Sequence, residues 1–147
     1  MIQEAKLYLY IHPVIQLLGT IFGYFALLWG LKRFLIAHGK MKLVFPWKQH
    51  VLYGKIATSL WLVGLAFGVY FTREEWQYCR ITGAHYTLGV IAFLFVLGTF
   101  LTGYWMELFK KKRVYLSVIH GLLGVLLCIL VFLQIVTGVQ VLSLFLW

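Results

Sequence analysis

The chain has 147 residues, 63% of them apolar and only 12% charged, a balance that excludes an ordinary soluble domain and points to a membrane protein. Its formal charge of +9 is gathered into alternate loops rather than spread as a nucleic-acid footprint, so no nucleic-acid partner is expected. The connections between apolar stretches are too short for a separate soluble domain.

Four stretches reach the roughly 20 apolar residues that a helix needs to cross a bilayer. They are expected near 8–31, 50–71, 82–108 and 114–146. The first carries His12 close to its start and Gly30 close to its end. Acidic Glu4 precedes it, no small-residue cleavage site follows, and its length exceeds a signal core, so it is expected to be retained. Lys32, Arg33, Lys40, Lys42 and Lys48 then lead to the second stretch, which carries His50, Lys55 and Gly68. Arg73 and Arg80 follow, balanced by Glu74 and Glu75. The third stretch carries His85 and Gly103. Lys110, Lys111, Lys112 and Arg113 separate it from the fourth, which carries His120 and Gly138.

This order predicts an all-α membrane protein, an up-down-up-down four-helix transmembrane bundle in a single domain. The basic loops are expected on the cytoplasmic side and both termini outside, as in a bacterial inner membrane. Much of the basic charge is then explained by topology alone. Trp29, Trp47, Trp76, Trp105 and Trp147 fall near span ends, as an interfacial aromatic belt does.

The same topology orders the histidines in depth. His12 and His85 belong to an outer layer, His50 and His120 to an inner one. Spans one and three are diagonal in a square bundle, as are spans two and four. Each layer therefore opposes two imidazoles across the bundle axis. Two opposed imidazoles suit the axial positions of a haem iron. They suit zinc poorly, because no Cys, Asp or Glu joins either layer, and non-haem iron would also want a carboxylate. There is no C-x-x-C-H for covalent haem attachment. Cys79 and Cys128 fall at different depths and are not expected to pair.

A glycine follows each of these histidines by 18 residues, at Gly30, Gly68, Gly103 and Gly138. That is five helical turns, roughly 27 Å, and it returns to the same face. These glycines are expected to let a helix approach the edge of a macrocycle held by the other layer. Gly54, Gly89 and Gly124 each follow a histidine by four residues and would clear room beside the ligand; Gln16 holds that place in span one. Packing through small residues is the ordinary alternative.

These residues resemble the cytochrome b561 type of transmembrane di-haem protein, closest to its bacterial and plastid four-helix relatives. The resemblance rests on His12-Pro13, on Pro46-Trp47-Lys48-Gln49-His50, on His85 with Gly89, on His120 with Gly124, and on Gln134 with Thr137-Gly138. It implies two non-covalent b haems, bis-histidine ligation and electron transfer across the membrane. Better-known members often carry extra helices and an ascorbate-binding surface, and this chain has the four-helix core alone.

Other polar residues have a functional and an ordinary reading. Lys55 would reach an inner haem propionate or snorkel to phosphates. Lys6, Arg73 and Arg80 would serve outer propionates or lipid headgroups. Gln16 and Gln134 would hydrogen-bond a haem edge, an imidazole or a quinone, or join helices. His38 is expected in the basic loop, solvated or facing lipid. Three functions remain open: a transmembrane electron conduit serving a quinone pool or a redox partner protein, a haem b subunit of a larger quinone-linked oxidoreductase, and a non-haem packing or assembly protein. The two layers are expected roughly 20 Å apart along the bundle axis, by helix rise.

Overall fold

A computed structural model describes residues 7–111 and 113–145, the side chain of Cys79 excepted. Glu4, Lys6, Lys112 and Trp147 lie outside the described residues, as does the end of the fourth expected span at 146. Four helices make up nearly all of the rest: α1 (Ile11–His38), α2 (Trp47–Trp76), α3 (Ala84–Leu108) and α4 (Tyr115–Phe145). Short 3-10 turns, Leu7–Tyr10 and Cys79–Thr82, precede α1 and α3. All four helices are long and apolar enough to cross a membrane, and the protein is an integral membrane protein. Large apolar side chains such as Leu94, Leu101, Leu122 and Phe132 point outward, a surface suited to lipid.

The helices overrun the apolar stretches where their ends are polar. α1 continues past Leu31 through Lys32 and Arg33 to His38, because a helical backbone satisfies its own hydrogen bonds whatever the side chains do. It stops at Gly39, whose N–H donates to the Leu35 carbonyl at 2.9 Å. His38 is therefore not in the loop. It closes α1, its ring 4.7 Å from that of Phe34. α2 begins at Trp47, behind Pro46, and ends at Trp76, before Gln77 in the left-handed region. α3 starts at Ala84 because Gly83 turns the chain at φ +56° and ψ −117°, a conformation that a side chain would oppose. That turn sets His85 in the first turn of α3.

The bundle is two antiparallel hairpins laid side by side. α1 packs along α2 and α3 along α4; the hairpins meet more sparingly through α2–α3 and α1–α4, and the diagonal pairs hardly touch. In the first hairpin the α1 face reads His12, Gln16, Gly19, Gly23, Ala26 and Gly30. The α2 face reads His50, Gly54, Ala57, Trp61, Gly64 and Gly68. Both follow helical spacing, so they mate in opposite directions. Trp61 lies in the notch of Gly19 and Gly23, where an added Cβ would come within 2.9 and 2.5 Å of its ring. Gln16 lies on Gly64, whose Cβ would come within 2.9 Å of the carboxamide carbon. The α3 and α4 faces place Val96 and Leu127 at mid-bundle, both buried, and these join Ala57 and Trp61 in the central core. This apolar plug separates the two histidine layers.

Candidate functional site

The four histidines come together as two pairs. His12 of α1 faces His85 of α3, with ring centres 6.1 Å apart and planes at 85°. His50 of α2 faces His120 of α4, with ring centres 6.1 Å apart and planes at 82°. The first pair lies at the end of the bundle where α1 begins and α4 finishes, here the terminal end. The second lies at the end bearing the basic loops, here the basic end. The pairs join the diagonal helices that otherwise hardly touch, so each bridges the gap between the hairpins.

Each imidazole rests on a glycine of its hairpin neighbour. A Cβ on Gly68 would sit 2.7 Å from His12 Nδ1, and one on Gly30 would sit 3.3 Å from His50 Cε1. A Cβ on Gly138 would sit 3.3 Å from His85 Cε1, and one on Gly103 would sit 3.0 Å from His120 Cε1. The protein group nearest each of these glycines is an imidazole. In an antiparallel pair the histidine of one helix must meet the far end of the other, so the same spacing recurs on both partners. It also separates the two contacts on each helix by 18 residues, about 27 Å of helix.

The nearer set of glycines divides. Gly54 and Gly124 have no atom within 4 Å of an added Cβ, so both border open space one turn from His50 and His120. Gly89 instead receives Gln134, whose Nε2 would lie 3.1 Å from a Cβ there.

Every imidazole is oriented through Nδ1. His12 Nδ1 lies 2.7 Å from the Gly64 carbonyl oxygen, and His50 Nδ1 lies 2.8 Å from that of Ala26. A carbonyl only accepts, so both nitrogens carry the proton. His85 Nδ1 lies 3.1 Å from Thr137 Oγ1, and His120 Nδ1 lies 3.0 Å from Thr102 Oγ1. These hydroxyls give their own protons to helix carbonyls, Thr137 to Leu133 at 2.9 Å and Thr102 to Gly98 at 2.7 Å. They therefore accept from the imidazole. All four rings are Nδ1–H tautomers, and all four Nε2 atoms keep a lone pair for a ligand.

That arrangement can hold a metal on two imidazoles. An imidazole ligating through Nε2 stands about 2.0–2.1 Å from the metal, which puts two opposed ring centres about 6.3 Å apart. The observed 6.1 Å in both layers matches. No cluster of three or more His, Cys, Asp or Glu occurs among the described residues, so a bare ion would find two protein ligands in each layer and no more. Any further ligands would come from water or from a bound group. Around the terminal-end pair a cavity of about 380 Å³, lined by both histidines, Gln16, Gln134, Gly68 and Gly138 among others, is chiefly apolar. Gln134 donates to the His85 carbonyl at 3.0 Å, while its Oε1 is buried without a partner. Gln16 donates to the Trp61 carbonyl at 3.3 Å. These two carboxamides join helices within a hairpin, and Gln134 keeps an unused acceptor.

Sequence reasoning missed Thr102 and Thr137 as imidazole partners. A signal for them existed: in α3 and α4 alike a threonine immediately precedes the glycine that meets the neighbour's histidine, Thr102-Gly103 and Thr137-Gly138. Lys55 pairs with Glu107, and its side chain stays partly exposed. Arg73 and Arg80 are exposed at the terminal end, away from the helix interior.

Fold and site together define a class: an integral membrane four-helix bundle with two stacked, bis-imidazole sites. Comparison with protein-family models, with curated proteins and with solved structures finds no match to this chain.

Proposed function

We propose that the protein is a transmembrane b-type cytochrome that holds two non-covalent haems and carries electrons between the membrane faces. One observation carries the reading: two imidazole pairs, equal in spacing, each with both Nδ1 atoms committed and both Nε2 atoms available. The open space beside Gly54 and Gly124, the cavity around His12 and His85, and the unpaired Gln134 Oε1 support a bulky planar group over a bare ion. Haem iron would supply reversible one-electron chemistry in each layer.

The chain's own residues account for the rest. His12 and His85 hold one group, and His50 and His120 the other. The Gly64 and Ala26 carbonyls and the Thr102 and Thr137 hydroxyls fix ring orientation and raise imidazole basicity. Trp61, Ala57, Val96 and Leu127 exclude water between the layers. The orientation follows from the basic loops: the His50–His120 layer faces the cytoplasm, with both termini on the other side, in a bacterial inner membrane. A quinone pool or a soluble redox protein is the expected source or sink of electrons. A pyridine haemochrome assay on purified protein tests the reading. Two b haems per chain are expected, and a colourless, well-folded protein would establish a packing or assembly role instead.

A further inference from the structure

The proposed electron path makes no use of an ion pair that crosses between the hairpins. Lys55 Nζ of α2 lies 2.9 Å from Glu107 Oε1 and 2.7 Å from Oε2 of α3. The depth of this pair follows from the helix register. Gly103 of α3 meets His120, and His120 faces His50 of α2, so residues 50 and 103 share one level. Lys55 starts about 7.5 Å from that level toward mid-bundle, and Glu107 about 6 Å toward the basic end. Helical side chains lean toward their helix N-terminus, which in these antiparallel helices brings both toward the shared level. The two charges therefore meet at the depth of the His50–His120 layer.

Placing them there is costly. Charges inside a membrane face lipid rather than water, are weakly screened, and mark a functional position more often than a structural one. Among the described residues, Glu107 is the only acid within the helical stretch between Gly83 and Phe145. Among the described residues, the polar side chains next to the terminal-end histidines are neutral: the Thr137 hydroxyl and the carboxamides of Gln16 and Gln134.

We propose that the Lys55–Glu107 pair is a positioning device that sets the redox poise of the basic-end site, so that two sites with the same ligands differ in electron affinity. The inference rests on the di-haem reading. A bis-imidazole iron is one unit more positive when oxidised than when reduced. A nearby carboxylate favours the oxidised form, and a nearby ammonium the reduced form. The Tyr104 ring, 5.9 Å from Lys55 Nζ, adds a further contact holding the lysine in place.

The test is a potentiometric titration of holoprotein in which the two haems are resolved. Glu107→Gln should raise the midpoint of the basic-end haem, Lys55→Met should lower it, and the terminal-end haem should stay where it was. Lys55→Arg and Glu107→Asp, which keep both charges, should leave both midpoints close to the starting values. A pair that merely ties α2 to α3 predicts otherwise. Losing either partner would then loosen the site, admit water and lower the basic-end midpoint in both variants. A fall in Glu107→Gln, or equal movement of both haems, would overturn the proposal. Should Lys55→Met fail to accumulate, Glu107→Gln alone separates the two cases by sign. Failure of the di-haem reading is distinct, since it would show as missing haem in the unmodified protein.

Discussion

The two hairpins solve one problem in different ways. Each must hold a histidine at either end and present Nε2 to the gap between hairpins. In α1–α2 the interface is built from Gly19, Gly23, Ala26, Ala57 and Gly64, so the backbones lie close. Both imidazoles then reach main-chain carbonyls, at 2.7 and 2.8 Å. In α3–α4 the interface carries Val96, Leu127 and Val131, and the backbones are not brought as close by glycine. Here the hydroxyls of Thr102 and Thr137 stand 3.0 and 3.1 Å from the rings, beside the main-chain groups of Thr99 and Gln134 that also hydrogen-bond His120 and His85. Among the described residues, these hydroxyls are an addition of the second hairpin, with no counterpart hydrogen-bonded to His12 or His50. Because each layer takes one histidine from each hairpin, both sites receive one imidazole with a threonine hydroxyl beside it and one without.

The largest effect that can break this comparison is loss of a ligand. His12→Ala and His85→Ala should each abolish the same haem and leave the other, while His50→Ala and His120→Ala should abolish the second. Absorption and low-temperature spectra of the four variants check it. A shared phenotype for His12→Ala and His50→Ala would mean that sites form within hairpins rather than between them.

The glycine contacts should come next. Gly68→Leu puts carbon where the His12 ring lies, and Gly103→Leu does the same to His120. Overpacking of this kind costs about 1–3 kcal/mol or more. Each should disturb the haem of the neighbour's histidine, although the substituted helix ligates the other haem. Gly23→Ala should behave differently. Its Cβ would come within 2.5 Å of Trp61, in the shared core, so thermal unfolding in detergent should fall with both haems affected together.

Gly124→Leu sharpens the comparison from the opposite direction. No protein atom lies within 4 Å of an added Cβ there, so the fold should tolerate the change. If the space holds a macrocycle, haem content should drop at the His50–His120 layer. Unchanged haem stoichiometry would place the macrocycle elsewhere.

The smallest effect concerns the hydroxyls. Thr102→Val and Thr137→Val each remove one imidazole acceptor, worth about 1 kcal/mol. The expected readout is a modest rise in the midpoint of the basic-end haem for Thr102 and of the terminal-end haem for Thr137. Serine at either place should restore it. A change in fold stability with unmoved midpoints would show the threonines to be packing residues.

Much of this architecture is written in local pattern. Apolar runs long enough for a bilayer, joined by short loops, leave an antiparallel four-helix bundle as the arrangement, and a histidine near the start of each run then falls into one of two layers. The 18-residue spacing to glycine was equally visible, because helical periodicity carries a face faithfully over five turns. Its meaning was not visible. Whether a glycine clears a cofactor or a neighbouring ring depends on which helix lies opposite and in what register, and only packing decides that. The same holds for Thr102, Thr137 and Lys55. The shared Thr-Gly step marks the two hydroxyls, but only the register shows that they accept from histidines of another helix, or that Lys55 meets a glutamate 52 residues away. Periodicity acts along a helix, whereas partners are chosen across helices. Depth and face were therefore determined by the sequence alone, and contact by the tertiary structure.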